Sequence, residues 1–166
     1  QLLGADRATT VLSAAGTNEV HALELVQLAG QIRVEGLTIT GARHAPPTTS
    51  SRAGGGLYAL NCGDVTLAAC AVTGNWMEVA TWGSAGYGGG IYVENCSLTL
   101  RDCLVASNRC LAPGYNWAYG AGIYGKGSGR IDLQGSELAG NWLASDTGGQ
   151  GAGLYAAGQV HLRNCL

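Results

Sequence analysis

The sequence predicts an all-β chain wound into a single-stranded parallel β-helix, a solenoid of about five coils of 31–34 residues with long loops along one edge. Three observations point to it. An anchor Gly-x-Gly-(Leu/Ile)-Tyr begins at Gly54, Gly88, Gly120 and Gly151, in steps of 34, 32 and 31 residues. An apolar pair follows each anchor, namely Val65/Leu67, Leu98/Leu100, Ile131/Leu133 and Val160/Leu162, with Ile32/Val34 as an earlier copy. Five residues after the first member of each pair stands Leu37, Cys70, Cys103, Ser136 or Cys165. A fixed period of this kind overrides local preference, because each repeat is one unit that must be buried by its neighbours.

Every alternation is short and of period 2, which reads as a strand. Three short strands per repeat cannot bury a face alone. Stacking like on like, each strand parallel to its counterpart one coil on at ~4.8 Å, encloses an axial core. Residues 1–166 form one domain: a lead or degenerate coil over 1–21, coils at 22–53, 54–87, 88–119 and 120–150, and an incomplete coil at 151–166. The chain starts at Gln1, has Met77 as its one methionine and stops in the third strand of a coil without a polar cap. The expectation is therefore a segment of a longer solenoid, or a subunit whose end a partner covers.

The alternation assigns faces. Leu57, Ile91, Ile123 and Leu154 point inward, followed by Ala59, Val93, Gly125 and Ala156. On the second strand Val65, Leu98, Ile131 and Val160 lie inside, leaving Arg33, Thr66, Thr99, Asp132 and His161 outside. On the third, Cys70/Val72, Cys103/Val105 and Ser136/Leu138 are inside, and Glu137 falls on the outer row as a charge should. Asn75, Asn108 and Asn141 then share one corner, where asparagine tolerates left-handed backbone and its amide can bond the next amide up the stack. They are expected to form a structural asparagine ladder.

Tyr58, Tyr92, Tyr124 and Tyr155 share one outward position and should form a stacked aromatic row. Glu94 and Lys126 are neighbours in the next column and should pair. After each asparagine comes a longer loop, 76–87, 109–119 and 142–150, with 43–53 as the earlier equivalent, and these hold all four tryptophans. Trp76, Trp82, Tyr87, Tyr115, Trp117, Tyr119 and Trp142 define a candidate contact edge. Two readings stand: loops folded back over the flank of the solenoid, or a lateral surface for a partner, since Trp and Tyr dominate binding anchors.

Six cysteines in 166 residues point to an oxidising compartment. Cys70, Cys103 and Cys165 share an inward column and suit buried free thiols. Cys62 and Cys96 face each other at a corner and are the candidate disulfide, while Cys110 sits in a loop without an equivalent and is expected to pair outside the segment. Asn95-Cys96-Ser97 fits the N-glycosylation pattern, at Asn95.

Net charge is −2, with charges scattered singly, so no basic run is available to neutralise a nucleic acid. No apolar run reaches the ~20 residues of a membrane helix, so no membrane insertion is expected. Catalysis on a polysaccharide would need converging carboxylates, or an acidic metal site with a nearby base. The outward neighbours of Asp132 are threonines and His161; Asp132 with His161 is the best titratable pair and reads as a surface contact. No catalytic residue, metal ligand or cofactor is expected.

Gly-Gly-x-(Ile/Leu) followed by an apolar-x-x-Asn block, carried by residues 54–141, resembles the repeats of the polymorphic outer membrane proteins, and more broadly the pectin-lyase-like β-helix superfamily. Those repeats have an aromatic where this chain has Val72, Val105 and Leu138. The resemblance implies a surface or secreted solenoid, adhesive or structural, without a cofactor. The sequence-based expectation is thus a non-enzymatic extracellular or cell-surface protein making lateral contacts with other subunits or with further coils of its own chain. A polysaccharide-binding or polysaccharide-cleaving module is the alternative, with glycans as partners.

Overall fold

The computed structural model describes residues 1–14, 21–44, 52–79, 82–127 and 129–166. They form a parallel β-solenoid with no helix among them. The anchor sheet stacks Leu23–Val26, Leu57–Leu60, Ile91–Glu94, Ile123–Lys126 and Leu154–Ala156. The second sheet stacks Leu2–Leu3, Gln31–Glu35, Asp64–Ala68, Ser97–Arg101, Ile131–Gln134 and Val160–Arg163. The third stacks Val11–Ser13, Thr38–Thr40, Ala71–Thr73, Leu104–Ala106 and Glu137–Ala139.

The expected columns are in register. Leu57, Ile91, Ile123 and Leu154 are successive partners, as are Val65, Leu98, Ile131 and Val160. Leu57, Ile91, Ile123, Val65 and Leu98 are fully buried. Each such side chain contributes ~1.5–3 kcal/mol by leaving water. The fold turns about four times rather than five. Four turns carry the full set of strands, and the remainder is partial, with Leu2–Leu3 and Val11–Ser13 pairing as a degenerate lead.

The long loops differ from expectation: they are stranded. Arg43–His44, Trp76–Glu78, Arg109–Ala112 and Trp142–Ser145 make a fourth sheet, and Arg52–Ala53, Ala85–Tyr87, Trp117–Tyr119 and Gly148–Gln150 a fifth. Each coil therefore has five strands, not three. The two extra sheets form a lateral arm with its own core of Met77, Val79, Cys110, Ala112, Ala118 and Ala121, against which Leu143 packs. Gly86 and Gly149 sit among these side chains: a Cβ would lie 2.9 Å from Cys110 Sγ at the first and 2.1 Å from Leu143 Cδ2 at the second.

Corners are made by left-handed residues in stacked positions: Gly36, Ala69, Asp102, Gly135 and Asn164 at one, and Gly74, Ser107 and Gly140 at another. The second set corrects the expectation for the asparagine corner. The left-handed residue is the one before each asparagine, which leaves Asn75, Asn108 and Asn141 free to turn their amides inward. A side chain bearing Cβ costs ~1–2 kcal/mol in this conformation, while glycine's extra chain entropy costs ~0.5–1 kcal/mol. Ala69→Gly and Ser107→Gly, at φ 49° and 55°, are therefore each expected to raise the unfolding free energy by about 0.5–1 kcal/mol. Urea unfolding followed by circular dichroism checks this.

Candidate functional site

The asparagine ladder is formed and saturated. Asn108 is fully buried. Its Nδ2 donates to Val72 O at 2.9 Å and Asn141 Oδ1 at 3.0 Å, while its Oδ1 accepts from the backbone N–H of Asn75 at 3.1 Å and from Asn75 Nδ2 at 3.0 Å. Asn75 donates to Ile39 O and accepts from Ala42 N; Asn141 donates to Val105 O. Every polar atom of these amides serves the stack, so the ladder is structural.

The tyrosine row is also formed. Tyr58, Tyr92, Tyr124 and Tyr155 stack with ring centroids 5.2, 5.4 and 5.3 Å apart and planes within 9°. His21 extends the row, 4.7 Å from Tyr58. The row faces out of the coil, but its middle does not face water: Tyr92 is 5% and Tyr124 7% exposed, while Tyr58 and Tyr155 are half-buried. Tyr87 and Tyr119, stacked on each other at 5.6 Å, lie against it from the arm, with Tyr87 4.8 Å from Tyr124 and Tyr119 5.2 Å from Tyr155. These two belong to the joint between arm and coil rather than to a contact edge.

Burial pushes the Tyr124 phenol up to about 12, and burial with a hydrogen bond to Glu94 pushes Tyr92 higher still. Glu94 is held below the usual carboxylate range by the Tyr92 hydroxyl, which donates to it, and by Lys126, 3.2 Å away. The expected Glu94–Lys126 pair is thus anchored to the aromatic row.

On the outer face of the arm, Arg43, Trp76, Arg109 and Trp142 occupy one register position in four successive coils. Cations and rings alternate. The Arg43 guanidinium lies 4.4 Å from the Trp76 ring centroid, and Arg109 lies 5.9 Å from Trp76 and 5.4 Å from Trp142. At the arm tip, Trp82 is 77% and Tyr115 68% exposed, and the two rings meet edge to face at 6.5 Å. Trp117 and Trp142 are also exposed.

A second asparagine holds the tip. Asn116, fully buried, accepts from the Ser84 backbone N–H at 2.9 Å and donates to Pro113 O at 2.6 Å. Its carbonyl accepts from the Ser145 and Thr147 hydroxyls, and Asp146 Oδ2 accepts from Gly114 N at 2.7 Å. The signal for Asn116 was a lone asparagine in a Gly-, Pro- and Tyr-rich segment, too weak to read against the repeat.

All six cysteines are free. The expected Cys62–Cys96 bridge is not made: the Cys62 backbone N–H donates to Cys96 Sγ at 3.0 Å, and both thiols donate to carbonyls, Cys62 to Leu25 and Cys96 to Glu94. Residues one strand spacing apart hold their Cβ atoms near ~4.8 Å, wider than the ~3.8 Å of a relaxed disulfide. Burial pushes the Cys96 thiol up to about 11. Cys110 has equivalents after all, Met77 and Leu143, and is fully buried in the arm core, where desolvation pushes its thiol up to about 12. Asn95 is exposed at a left-handed corner, its amide donating to Asn61 Oδ1 at 2.9 Å.

On the second sheet, Asp132 takes Arg130 at 2.6 Å and lies 3.2 Å from His161 Nδ1. An open groove of about 540 Å³ runs beside it over Arg33, Thr66, Thr99 and Arg101. The chain matches no known protein family, no curated protein and no solved structure.

Proposed function

We propose that the protein is a non-enzymatic structural or adhesive solenoid of the cell exterior, joined to other protein subunits or to copies of itself through its lateral arm. One observation carries this reading: Trp82, Tyr115, Trp117 and Trp142 stand 42–77% exposed on an arm framed by stacked strands and fixed at its tip by Asn116. Large amphipathic rings on a rigid support lose little entropy on binding and are the commonest anchors of protein contacts. The resemblance of residues 54–141 to polymorphic outer membrane protein repeats supports an exterior, adhesive setting. Free thiols are compatible with it, since Cys70, Cys103 and Cys110 are shielded by the two cores.

Sedimentation velocity over a concentration series tests the reading. The double variant Trp82→Ala/Tyr115→Ala is expected to weaken association by about thirtyfold, the size of one hot-spot loss of ~2 kcal/mol. Association unchanged in the variant overturns it, and a wild type that stays monomeric throughout removes its self-association branch. The groove beside Asp132 favours a second reading, a module acting on polysaccharide. Turnover of any member of a polysaccharide panel, lost in Asp132→Ala, would establish that one instead.

A further inference from the structure

We propose that the Arg43–Trp76–Arg109–Trp142 column is a recognition site for a linear anionic polysaccharide bearing carboxylate or sulfate groups. The proposal extends the reading of the arm as the contact surface and names a ligand for its outer face.

Stacking changes what an arginine can bind. A guanidinium sandwiched against indole rings uses its two faces in cation–π contact. Its N–H edge stays available, and the rings limit its rotation. The planar fork is then held ready for a carboxylate or sulfate, which it binds through two parallel hydrogen bonds. Arg109 is in this position, between Trp76 and Trp142, and Arg43 stacks on the other side of Trp76. Both arginines are exposed. Among the described residues, neither guanidinium has a carboxylate partner or a hydrogen bond, whereas Arg33, Arg130 and Lys126 each pair with an acid. Two oriented cations are thus left unneutralised in a chain of net charge −2.

Spacing chooses the ligand. Arg43 and Arg109 are two coils apart, about 9.6 Å at the strand spacing. An extended peptide lying along the column presents side chains on one face every two residues, about 6.6 Å, and falls out of step with the arginines. Sugars advance along a linear chain by a length close to one coil, so acid groups on alternate sugars keep step with alternate coils. The exposed edge of Trp142 adds an apolar surface for the sugar ring. Glu78, two residues beyond Trp76 on the same face, sets a limit: it disfavours a ligand with an acid group on every sugar.

The test uses the full chain at low ionic strength, with immobilised sulfated glycosaminoglycan of disaccharide repeat, polygalacturonate and polyglutamate as probes. The glycosaminoglycan is expected to bind, with salt-sensitive affinity and a change in tryptophan fluorescence. Arg43→Lys/Arg109→Lys keeps both charges but loses the planar fork, and is expected to weaken binding by about tenfold or more. Arg101→Ala/Arg163→Ala, on the second sheet, should leave it unchanged. The proposal fails if no polysaccharide binds, if the lysine variant binds as the wild type does, if the Arg101/Arg163 variant is the one that loses binding, or if polyglutamate competes equally. Circular dichroism and melting of each variant separate unfolding from loss of the site. A normal loss of association in Trp82→Ala/Tyr115→Ala, with polysaccharide binding absent, would sink this proposal and leave the arm-tip reading standing.

Discussion

Asn108→Ala is expected to lose about 3–5 kcal/mol of unfolding free energy, measured by urea denaturation. The reason is the number of groups it strands. Removing the amide leaves the Asn75 backbone N–H, one Asn75 Nδ2 proton and Val72 O without the partners they have at 2.9–3.1 Å, and leaves Asn141 Oδ1 with the Asn108 backbone N–H alone. Asn75 is 1% exposed, so water cannot replace those bonds. Each buried group left unpaired costs ~1–3 kcal/mol, and the loss is not fully additive. Asn108→Asp is the sharper variant, because it keeps the shape and changes only the chemistry. Its oxygen would face Val72 O and Asn141 Oδ1 where the amide donated.

The loss in Asn108→Asp should exceed that of the alanine variant at neutral pH and diminish on acidification. A buried carboxylate has its pKa raised above the unfolded value. The folded state then takes up a proton before the unfolded chain does, and the protonated acid can donate again. The penalty is thus present above the raised folded pKa and falls away as pH drops below it. Asn141→Ala likewise removes the partners of the Asn108 backbone N–H, Asn108 Nδ2 and Val105 O, but at a half-buried position where water can stand in, so it should cost only about 1–2 kcal/mol. Equal losses at 108 and 141 would show that the amides act singly rather than as a ladder.

The asparagines, the inward columns and the stacked tyrosines were all legible in the sequence, because each is a residue type repeated at a fixed offset in successive coils. Parity of alternation says which way a side chain leaves the strand. It does not say what lies there. Tyr92 and Tyr124 leave the coil as predicted and are nevertheless buried, since the arm brings Tyr87 and Tyr119 against them. The arm itself was hidden by composition. Its strands are two to four residues long and dense in Gly, Ala and Trp, so they read as loops. The usable signal was the alternation Met77/Val79 and Cys110/Ala112, which marks a second inward row, but the equivalent position in the next coil holds Leu143 followed by Ser145. The arginine–tryptophan column was invisible for a different reason: Arg43 and Arg109 fall in step with Trp76 and Trp142 only once the arm segments are known to be strands in register.

The glycine anchors provide the other large effect, a contrast between two positions that the repeat makes equivalent. Gly90→Ala should be strongly destabilising for the addition of a single methyl group. A Cβ there would lie 2.7 Å from Asn108 Nδ2 and 2.7 Å from Gly122 O, against the ladder on one side and the next coil's backbone on the other. Neither can move without breaking bonds that the amides and strands make, so the cost is expected at about 3 kcal/mol or more, at the upper end of overpacking. Gly153 occupies the same place in its own coil, yet a Cβ there meets nothing nearer than Leu138 Cδ1 at 3.8 Å, and its φ is not left-handed. Gly153→Ala should be neutral or gain up to about 1 kcal/mol, by reducing the freedom of the unfolded chain. Solenoid stability is a sum of repeats and their interfaces, so the two variants measure one methyl against two different coil interfaces. If both lose stability equally, the third anchor glycine is required by its own backbone; if only Gly90→Ala does, it is required by the coil stacked upon it.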